Sequence, residues 1–141
     1  MGPSIEIVDH PTEEVVAALA RLVPQLSSAP PPDTAEVASM IGGGSTLFIA
    51  RLDGEIVGSL TLVLYRIPTG LKAWIEDVVV DQSVRGHGVG EALSEAALEE
   101  ARRHGVKYVT LSSRPSRHAA NRLYQRLGFK QRDTNVYRYY L

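Results

Sequence analysis

The sequence predicts a single domain of the α+β class, spanning residues 1–141, with strands and helices in the order βααβββαβαββ. Hydrophobic residues make up 44% of the chain, which is enough for a sizeable core, and no repeat or long linker divides it. In the first half, predicted strands follow one another across tight turns, as in antiparallel hairpins. In the second half, a helix separates two predicted strands, which indicates one parallel crossover.

The first half is predicted to hold four strands and two helices. Thr12 is a suitable N-cap for the first helix, whose apolar residues recur every three or four positions. Asp33 and Glu36 have the spacing of a capping box and predict the start of the second helix. Asp53 and Gly54 predict a tight turn between two strands. The four strands are expected at residues 4–9, 46–52, 55–65 and 71–81.

The second half is predicted to hold two helices and three strands. An apolar stripe predicts a long helix over residues 89–104, which Gly105 ends. Ser116 and Gly128 are suitable N-cap and C-cap residues for a shorter helix that ends at Leu127. The three strands are expected at residues 107–112, 129–133 and 136–141.

Composition excludes several classes of protein. The chain contains no cysteine, which excludes disulfides, thiolate metal sites and a cysteine nucleophile. No apolar run reaches the roughly 20 residues of a membrane span, and the first ten residues lack the basic and apolar regions of a signal peptide. The isoelectric point near 6.4 is far below that of typical nucleic-acid-binding domains. We therefore expect a soluble, cytoplasmic protein that binds neither nucleic acid nor membranes.

Charge is unevenly distributed along the chain, although the net charge is only −1. Residues 1–100 hold 15 of the 16 acidic residues, whereas residues 101–141 hold 10 of the 15 lysines and arginines. This asymmetry indicates either a site for a polyanion or two halves that neutralise each other when they pack together.

The segment VVVDQSVRGHGVGEAL places Gly86, Gly88 and Gly90 between a predicted strand and a predicted helix. Unpaired backbone N–H groups at a helix N-terminus, together with the helix dipole, form an anion site that a phosphate can approach closely where side chains are missing. The alternative is that the glycines serve only tight packing or a positive φ. A P-loop and a dinucleotide fingerprint both fit poorly, because Glu91 and Ala92 occupy positions that those motifs reserve for other residues.

Three segments together resemble the GCN5-related N-acetyltransferases, the GNAT superfamily. They are RGHGVG at residues 85–90, IEDVVVD at residues 75–81 and NRLYQRLGF at residues 121–129. The element order is similar as well. The resemblance implies mixed αβα layers around a mostly antiparallel sheet that splays between its fourth and fifth strands. It also implies direct transfer of an acetyl or other short acyl group from acetyl-CoA to a primary amine within a ternary complex.

The resemblance assigns the diphosphate of coenzyme A to the loop and its pantetheine arm to the fourth strand. The loop residues are Arg85, Gly86, His87, Gly88, Val89 and Gly90. The strand residues are Val78, Val79 and Val80, of which the first and last would offer backbone groups to the arm while Val79 points the other way. Asn121 is expected to bond either the cofactor or the backbone of its own helix.

The resemblance also supplies candidate catalytic residues. Tyr124 matches the general acid that protonates the departing thiolate, and core packing is its alternative role. Glu76 is the candidate base, and an electrostatic contact to a cationic substrate is an equally open role. A period of two places Glu76 on one strand face with Val78 and Val80, and Asp77 on the other. The histidines show no metal-ligand spacing, so no metal is expected.

Two other functions stay open at this point. The chain would be a catalytically degenerate sensor if it binds acyl-CoA without turnover, or a nucleotide-binding domain if it prefers ATP or NAD. The acceptor is either a small-molecule amine or a protein amine. The sequence also leaves open a homodimer formed through the C-terminal strand.

Overall fold

The computed structural model describes residues 2–141 and confirms the α+β class. Single 3₁₀ turns lie at Val23–Gln25 and Gln82–Val84. The helices are α1 Glu13–Leu22, α2 Thr34–Gly42, α3 Val89–Arg103 and α4 His118–Leu127. The strands are β1 Ser4–Ile7, β2 Ser45–Leu52, β3 Glu55–Ile67 and β4 Gly70–Val80.

The four strands form one antiparallel sheet in the order β1-β2-β3-β4. Asp53 and Gly54 join β2 to β3 with φ values of 52° and 84°, so the predicted tight turn between these strands is confirmed. Helices cover both faces of the sheet. The face under α1 and α2 is filled by buried residues that include Leu19, Leu22 and Val37. The opposite face, under α3, is filled by residues that include Phe48, Leu60, Leu62 and Leu93.

Local capping signals give mixed results. The Thr12 hydroxyl accepts a hydrogen bond from the Val15 N–H at 3.2 Å, and Asp33 with Glu36 forms the predicted capping box. The prediction for Ser116 is wrong. Helix α4 begins at His118 with Arg117 as its N-cap, and no side chain caps it.

The predicted fifth strand is reduced to a single parallel bridge between Trp74 and Thr110. The Ile75 N–H donates to the Thr110 carbonyl at 2.9 Å, and the Thr110 N–H donates to the Ala73 carbonyl at 3.1 Å. Across residues 2–141, no further backbone hydrogen bond joins β4 to the chain after Thr110. The two segments therefore separate beyond this bridge, which leaves one edge of β4 open.

The strands predicted at residues 129–133 and 136–141 are wrong for this structure, which shows no strand there. A strand requires a neighbour to satisfy its backbone N–H and C=O groups. Residues 130–141, called the C-terminal tail below, make no backbone hydrogen bond to the described part of the chain.

None of the helices within residues 2–141 has both the length and the hydropathy of a membrane span.

Candidate active site

The loop between β4 and α3 is anchored by the C-terminal end of α1. The Asp81 carboxylate accepts hydrogen bonds from the Ser83 N–H at 3.0 Å and the Ser83 hydroxyl at 2.9 Å, and lies 3.7 Å from the guanidinium of Arg21. The Gln25 side-chain oxygen accepts from the Gln82 N–H at 2.9 Å. The backbone bond from Ser83, more than any other contact, lowers the pKa of Asp81. These contacts fix the start of the loop.

The loop presents a row of unpaired backbone donors. Within the described residues, none of the N–H groups from Arg85 to Glu91 donates to a protein acceptor. The first bond of the helix runs from the Ala92 N–H to the Gly88 carbonyl at 3.0 Å, and no side chain caps the helix N-terminus. Such free donors at the positive end of a 15-residue helix form a site for an anion.

The three glycines of the loop have two different structural roles. Gly86 and Gly88 adopt φ values of +88° and +76°, and a Cβ added to either would meet nothing within 4 Å. Gly90 has an ordinary helical conformation, but its Cβ would lie 3.2 Å from Leu123 Cδ2 and 3.7 Å from Val80 Cγ2. Backbone conformation therefore requires glycine at the first two positions, where space for a ligand is open. Close packing of α4 against α3 favours it at the third.

Glu91 adds a negative charge to the first turn of α3, and α4 partly neutralises it. The Glu91 carboxylate lies 3.9 Å from Nε of Arg126, and both side chains are partly exposed. Sequence reasoning did not single out Arg126. No sequence pattern indicates this residue, because the contact depends on how α3 and α4 pack.

The open edge of β4 lies next to this loop. The Asp81 N–H donates to the Val57 carbonyl of β3 at 2.8 Å, so alternation directs the backbone groups of Val78 and Val80 away from β3. These two residues therefore offer unpaired N–H and C=O groups at the open edge. This is the arrangement that the resemblance requires for an added, strand-like ligand.

A β-bulge in β4 changes which side chains share a face. The register with β3 shifts between Ser59 and Thr61, and Asp77 has a φ of +50°. A bulge adds one residue and reverses the alternation beyond it. Aspartate is one of the few residues that adopts a positive φ at moderate cost, so Asp77 is a weak sequence signal for the bulge. The apolar pattern alone does not show that β4 has one residue more than β3 at this point.

The prediction that Glu76 shares a face with Val78 and Val80 is therefore wrong. Ile75, before the bulge, and both valines, after it, pack against the core under α3. Glu76 alternates with Ile75 and so lies on the opposite face, where Val79 packs against the core under α1 and α2. The carboxylate thus lies on the side of the sheet away from α3.

Glu76 is an exposed residue, yet neighbouring protein removes part of the hydration of its carboxyl group. This desolvation, assisted by the negative charge of Asp77, raises the pKa of Glu76 above its ordinary value. A carboxylate whose pKa is raised is a stronger base, which suits proton removal from an amine.

Tyr124 is buried, with only 6% of its surface exposed, and its ring packs edge-on against Phe129 with centroids 5.8 Å apart. Burial raises the pKa of Tyr124 above its ordinary value, against an opposing effect of the Arg117 charge. The phenol therefore keeps its proton at neutral pH. Among residues 2–141 its hydroxyl has no protein partner, and unlike the enclosed Ser113 hydroxyl it is not sealed from solvent.

Asn121 bonds the protein backbone. Its side-chain Nδ2 donates to the Arg114 carbonyl at 2.9 Å and so ties α4 to the loop that precedes it. The partner lies in the loop before α4, so the expected bond to the backbone of the helix itself is not formed. Contact of Asn121 with the cofactor stays a prediction. No group of three or more metal-ligating side chains is present in the described range.

Gly58, in the middle of β3, is a second residue that sequence reasoning missed. A Cβ there would lie 3.0 Å from Val89 Cγ1 and 3.1 Å from the carbonyl oxygen of Val79. The start of α3 thus sits directly on β3 and β4 because Gly58 has no side chain. A glycine inside a predicted strand is the signal that could have identified this close approach.

Comparisons with known proteins point to one family. A family model described as the acetyltransferase (GNAT) family matches residues 13–129. The chain is 32% identical over 139 residues to a glucosamine 6-phosphate N-acetyltransferase of Trypanosoma brucei brucei, covering 96% of this chain and 86% of that protein. An aminoalkylphosphonate N-acetyltransferase of Salmonella typhimurium is 35% identical over 86 residues, which are 59% of this chain and 55% of that one.

A solved structure leads to the same family. The crystal structure of an acetyltransferase from Trypanosoma brucei superposes with a TM-score of 0.80 at 29% identity, covering 99% of both chains. The family model extends from α1 to Phe129, directly after α4, and so includes every element that builds the loop and the open edge of β4. The chain therefore belongs to the GNAT family of acetyltransferases.

Proposed function

We propose that this protein transfers the acetyl group of acetyl-CoA to the primary amine of a small molecule, directly within a ternary complex. The observation that carries the proposal is the row of unbonded N–H groups from Arg85 to Glu91 beside the open edge of β4. A diphosphate and an amide-containing arm, joined in one ligand, match these two neighbouring sets of backbone groups.

Open space beside the loop glycines supports this choice of cofactor. Gly86 and Gly88 have open space where a Cβ would project, so a diphosphate can reach the loop N–H groups without obstruction. The pantetheine arm would then run along Val78 and Val80, pairing with their backbone as an added strand does. Its thioester end would lie toward Glu76, further back along β4.

The two candidate catalytic groups have complementary protonation states. Glu76, with a raised pKa, would take a proton from the acceptor's ammonium group, directly or through one water. The amine nitrogen then bonds the thioester carbon, and the carbon–sulfur bond breaks. Tyr124, which stays protonated, would give its proton to the departing thiolate. The second proton that the nitrogen releases on becoming an amide would return to the Tyr124 oxygen, directly or through water, which restores the phenol. A cysteine-based acyl-enzyme is excluded because the chain has no cysteine.

The relatives suggest which amines to test first. The names of the trypanosomal and Salmonella enzymes specify amines that carry a phosphate or a phosphonate group. A panel would therefore begin with glucosamine 6-phosphate and aminoalkylphosphonates, and extend to polyamines and peptide N-termini. Release of free coenzyme A thiol measures turnover with each amine.

Cofactor binding is tested separately from turnover. Acetyl-CoA at about 100 times its dissociation constant should stabilise the fold by roughly 2.7 kcal/mol. ATP and NAD at the same concentration are the controls, and a larger stabilisation by either would favour a nucleotide-binding domain instead. Strong acetyl-CoA binding with no turnover on any amine would favour the acyl-CoA sensor.

Replacing Tyr124 tests the assigned acid. We expect Tyr124→Phe to lower kcat by roughly 10²-fold or more, because general acid catalysis typically contributes 10²–10⁴-fold. The dissociation constant for acetyl-CoA should stay within about twofold, since the ring still packs against Phe129. A wild-type rate at every pH would show that another group supplies the proton.

A further inference from the structure

One end of the sheet stays outside the core under α1 and α2. Across residues 2–141 that core takes only Ile56 from β3 and only Val79 from β4, both far along the strands from the turn that joins them. Nearer the turn, six side chains of these strands occupy the same face of the sheet, as register and alternation require. They are Thr61, Val63 and Tyr65 of β3, and Lys72, Trp74 and Glu76 of β4. The core formed by the two helices thus leaves this end of the face uncovered.

An aromatic groove lies at this uncovered end, beside the turn between β3 and β4. It has a volume of about 350 Å³, and its lining includes Tyr65, Lys72, Trp74 and Tyr108. That volume is at the lower end of the range for small-molecule sites, which are lined mostly by apolar and aromatic groups with a few polar ones. The groove therefore suits a small molecule with a compact, partly apolar body.

The end of the groove nearest the turn is positively charged. The Lys72 Nζ donates to the Tyr108 hydroxyl at 2.9 Å and lies 5.0 Å from the centroid of the same ring. This hydrogen bond, together with the charges of Arg132 in the C-terminal tail and of Lys107, lowers the pKa of Tyr108. None of these three cations forms a salt bridge with any residue from 2 to 141. Their charge is therefore available to an anionic group of a ligand.

Glu76, the candidate base, lies just beyond the other end of the groove. It is the next residue after Trp74 on this face, and it is four residues from Lys72, which is roughly 13 Å along the strand. Pairing with β3 is regular from Gly70 to Glu76, because the bulge follows Glu76. A hydrogen bond of about 3 Å at each end leaves roughly 7 Å between the two groups of a ligand that reaches both side chains.

We propose that the acceptor is a primary amine with an anionic group about 7 Å from its nitrogen, and that Lys72 binds this anionic group. The amine would lie at Glu76 and the spacer would cross Trp74. The anionic group would accept hydrogen bonds from the Lys72 Nζ and from the Tyr108 hydroxyl, which is free to donate because it accepts from Lys72. This inference rests on the proposed function, since it assigns an acceptor class to the transfer, and it adds Lys72 as a residue that determines specificity.

Trp74 allows binding in the groove to be measured without turnover. It is the only tryptophan in the chain, so its fluorescence reports on the groove in which it lies. The probe is 5-aminopentylphosphonate, whose six extended bonds of about 1.25 Å each place the nitrogen and the phosphorus roughly 7.5 Å apart. Each titration contains saturating coenzyme A, so that the backbone donors of the loop are not available to the phosphonate and no acetyl group is transferred.

Three amines serve as matched controls in the same titration. The neutral 5-aminopentanol and the doubly cationic 1,5-diaminopentane keep the length of the probe, whereas 2-aminoethylphosphonate keeps its charge and is shorter. We expect 5-aminopentylphosphonate to bind with a dissociation constant at least about tenfold below that of each control, as hydrogen bonds to a charged group usually provide. Equal dissociation constants for the phosphonate and the alcohol, or tighter binding of the diamine or of the short phosphonate, would overturn the proposal.

Substitution of Lys72 tests its assigned role. Lys72→Gln should remove most of the tenfold preference, and in turnover it should raise KM for 5-aminopentylphosphonate with little change in kcat, because Lys72 holds a group remote from the reacting nitrogen. Arg66→Gln is the matched control. Arg66 is exposed and carries the same charge, but it alternates with Tyr65 and so lies on the opposite face of the sheet. Equal losses in the two variants would attribute the preference to net charge and reject the site.

The acceptor class and the proposed function fail in different ways. Acetylation of 5-aminopentanol as efficient as that of 5-aminopentylphosphonate would reject the anionic acceptor and leave the transfer reaction in place. A selective response of Trp74 to the phosphonate, with no acetylation of any amine, would reject the transfer reaction and retain the groove as a site for an anionic amine. Fluorescence titration and release of coenzyme A thiol, measured on the same preparation of the full chain, separate these outcomes.

Discussion

At the scale of single residues, the surroundings of Glu76 and Tyr124 suit one group to accept a proton and the other to donate one. Desolvation raises the pKa of both. For the carboxyl group this produces a stronger base, whereas for the phenol it retains the proton through the whole physiological range. The proposed transfer needs one group to accept a proton and another to release one, and these are the two roles that the shifts favour.

Replacing Glu76 by glutamine should remove the rise of kcat/KM with pH on the acidic side of its pH profile. In the wild type, kcat/KM is expected to rise with pH through the raised pKa of this carboxyl group, because only the carboxylate accepts the amine proton. Glu76→Gln should lower kcat by roughly 10²-fold and flatten that rise. Initial rates between pH 4.5 and 9 measure both effects.

Asp77→Asn is the matched control, since asparagine also tolerates the positive φ of the bulge. Its charge contributes to the raised pKa of Glu76, so its loss should move the rise of kcat/KM to lower pH without removing it. An unchanged profile in Glu76→Gln would exclude Glu76 as the base and leave it as a substrate contact.

The same shift has a stability consequence with a definite sign. A carboxyl group with a raised folded-state pKa binds more protons in the folded state than in the unfolded state. The free energy of unfolding of the wild type, taken relative to that of Glu76→Gln, should therefore fall with rising pH. The fall begins near the pKa that Glu76 has in the unfolded state and ends above its higher pKa in the folded state. A difference that grows in the other direction would contradict the assigned desolvation.

The position of Glu76 shows the limit of reasoning from sequence at this scale. Residue types and spacing identified the loop glycines, and the family resemblance added Tyr124 and Glu76 as candidates. They placed Glu76 on the wrong face, because a bulge at Asp77 inserts one residue without altering the apolar pattern. One backbone irregularity, set by pairing with β3, decides which side of the sheet receives the carboxylate.

At the scale of elements, Gly58 controls how α3 sits on the sheet. We expect Gly58→Ala to destabilise the fold by roughly 1–3 kcal/mol, as overpacking of a core usually does. The added methyl group would approach both the Val89 side chain and the rigid Val79 carbonyl oxygen, 3.0 and 3.1 Å away. Because α3 carries the loop, acetyl-CoA affinity should fall as well. Denaturant unfolding and calorimetry measure the two effects.

Gly42→Ala is the control for that substitution. Gly42 ends α2, and a Cβ there would meet nothing within 4 Å. Stability should be unchanged or increased by up to about 1 kcal/mol, because alanine reduces the freedom of the unfolded chain. Equal effects of the two substitutions would show that α3 does not depend on a bare backbone at Gly58.

Apart from the N-cap at Ser116, elements whose signals are local were predicted well, whereas those that depend on distant partners were not. The cap at Thr12, the capping box at Asp33 and the turn at Asp53 are specified by neighbouring residues, and all three are confirmed. The strands at residues 107–112 and 136–141 depend on pairing. Alternation shows that a segment can pair, but it does not show whether the partner is β4, the chain's own edge or a second molecule.

At the scale of the whole molecule, the charge asymmetry is only partly neutralised by packing. Arg102 and Arg103 pair with glutamates of their own helix, and Arg126 pairs with Glu91. Three other arginines, around the start of α4, are exposed and form no salt bridge with the described residues. They are Arg114, Arg117 and Arg122. Their unpaired positive charge is available to a polyanionic ligand.

Acetyl-CoA binding should therefore weaken as salt increases, because mobile ions screen exposed charges over roughly 10 Å at 0.1 M. Arg117 is the residue to replace, since its charge already acts on Tyr124. Arg117→Gln should raise the dissociation constant for acetyl-CoA several-fold at low salt and bring it close to wild type at high salt. Titration calorimetry from about 20 to 500 mM NaCl spans a screening length of roughly 20 Å down to about 4 Å.

Arg103→Gln is the control that separates a local effect from net charge. It removes the same charge, but it lies at the C-terminal end of α3, about 20 Å along the helix from the loop. The dissociation constant of Arg103→Gln for acetyl-CoA should depend on salt in the same way as that of the wild type. If the two variants weaken binding in parallel, the basic third of the chain acts only through its total charge. If neither does, the unpaired arginines around α4 do not face the cofactor, and the diphosphate depends on the backbone donors of the loop alone.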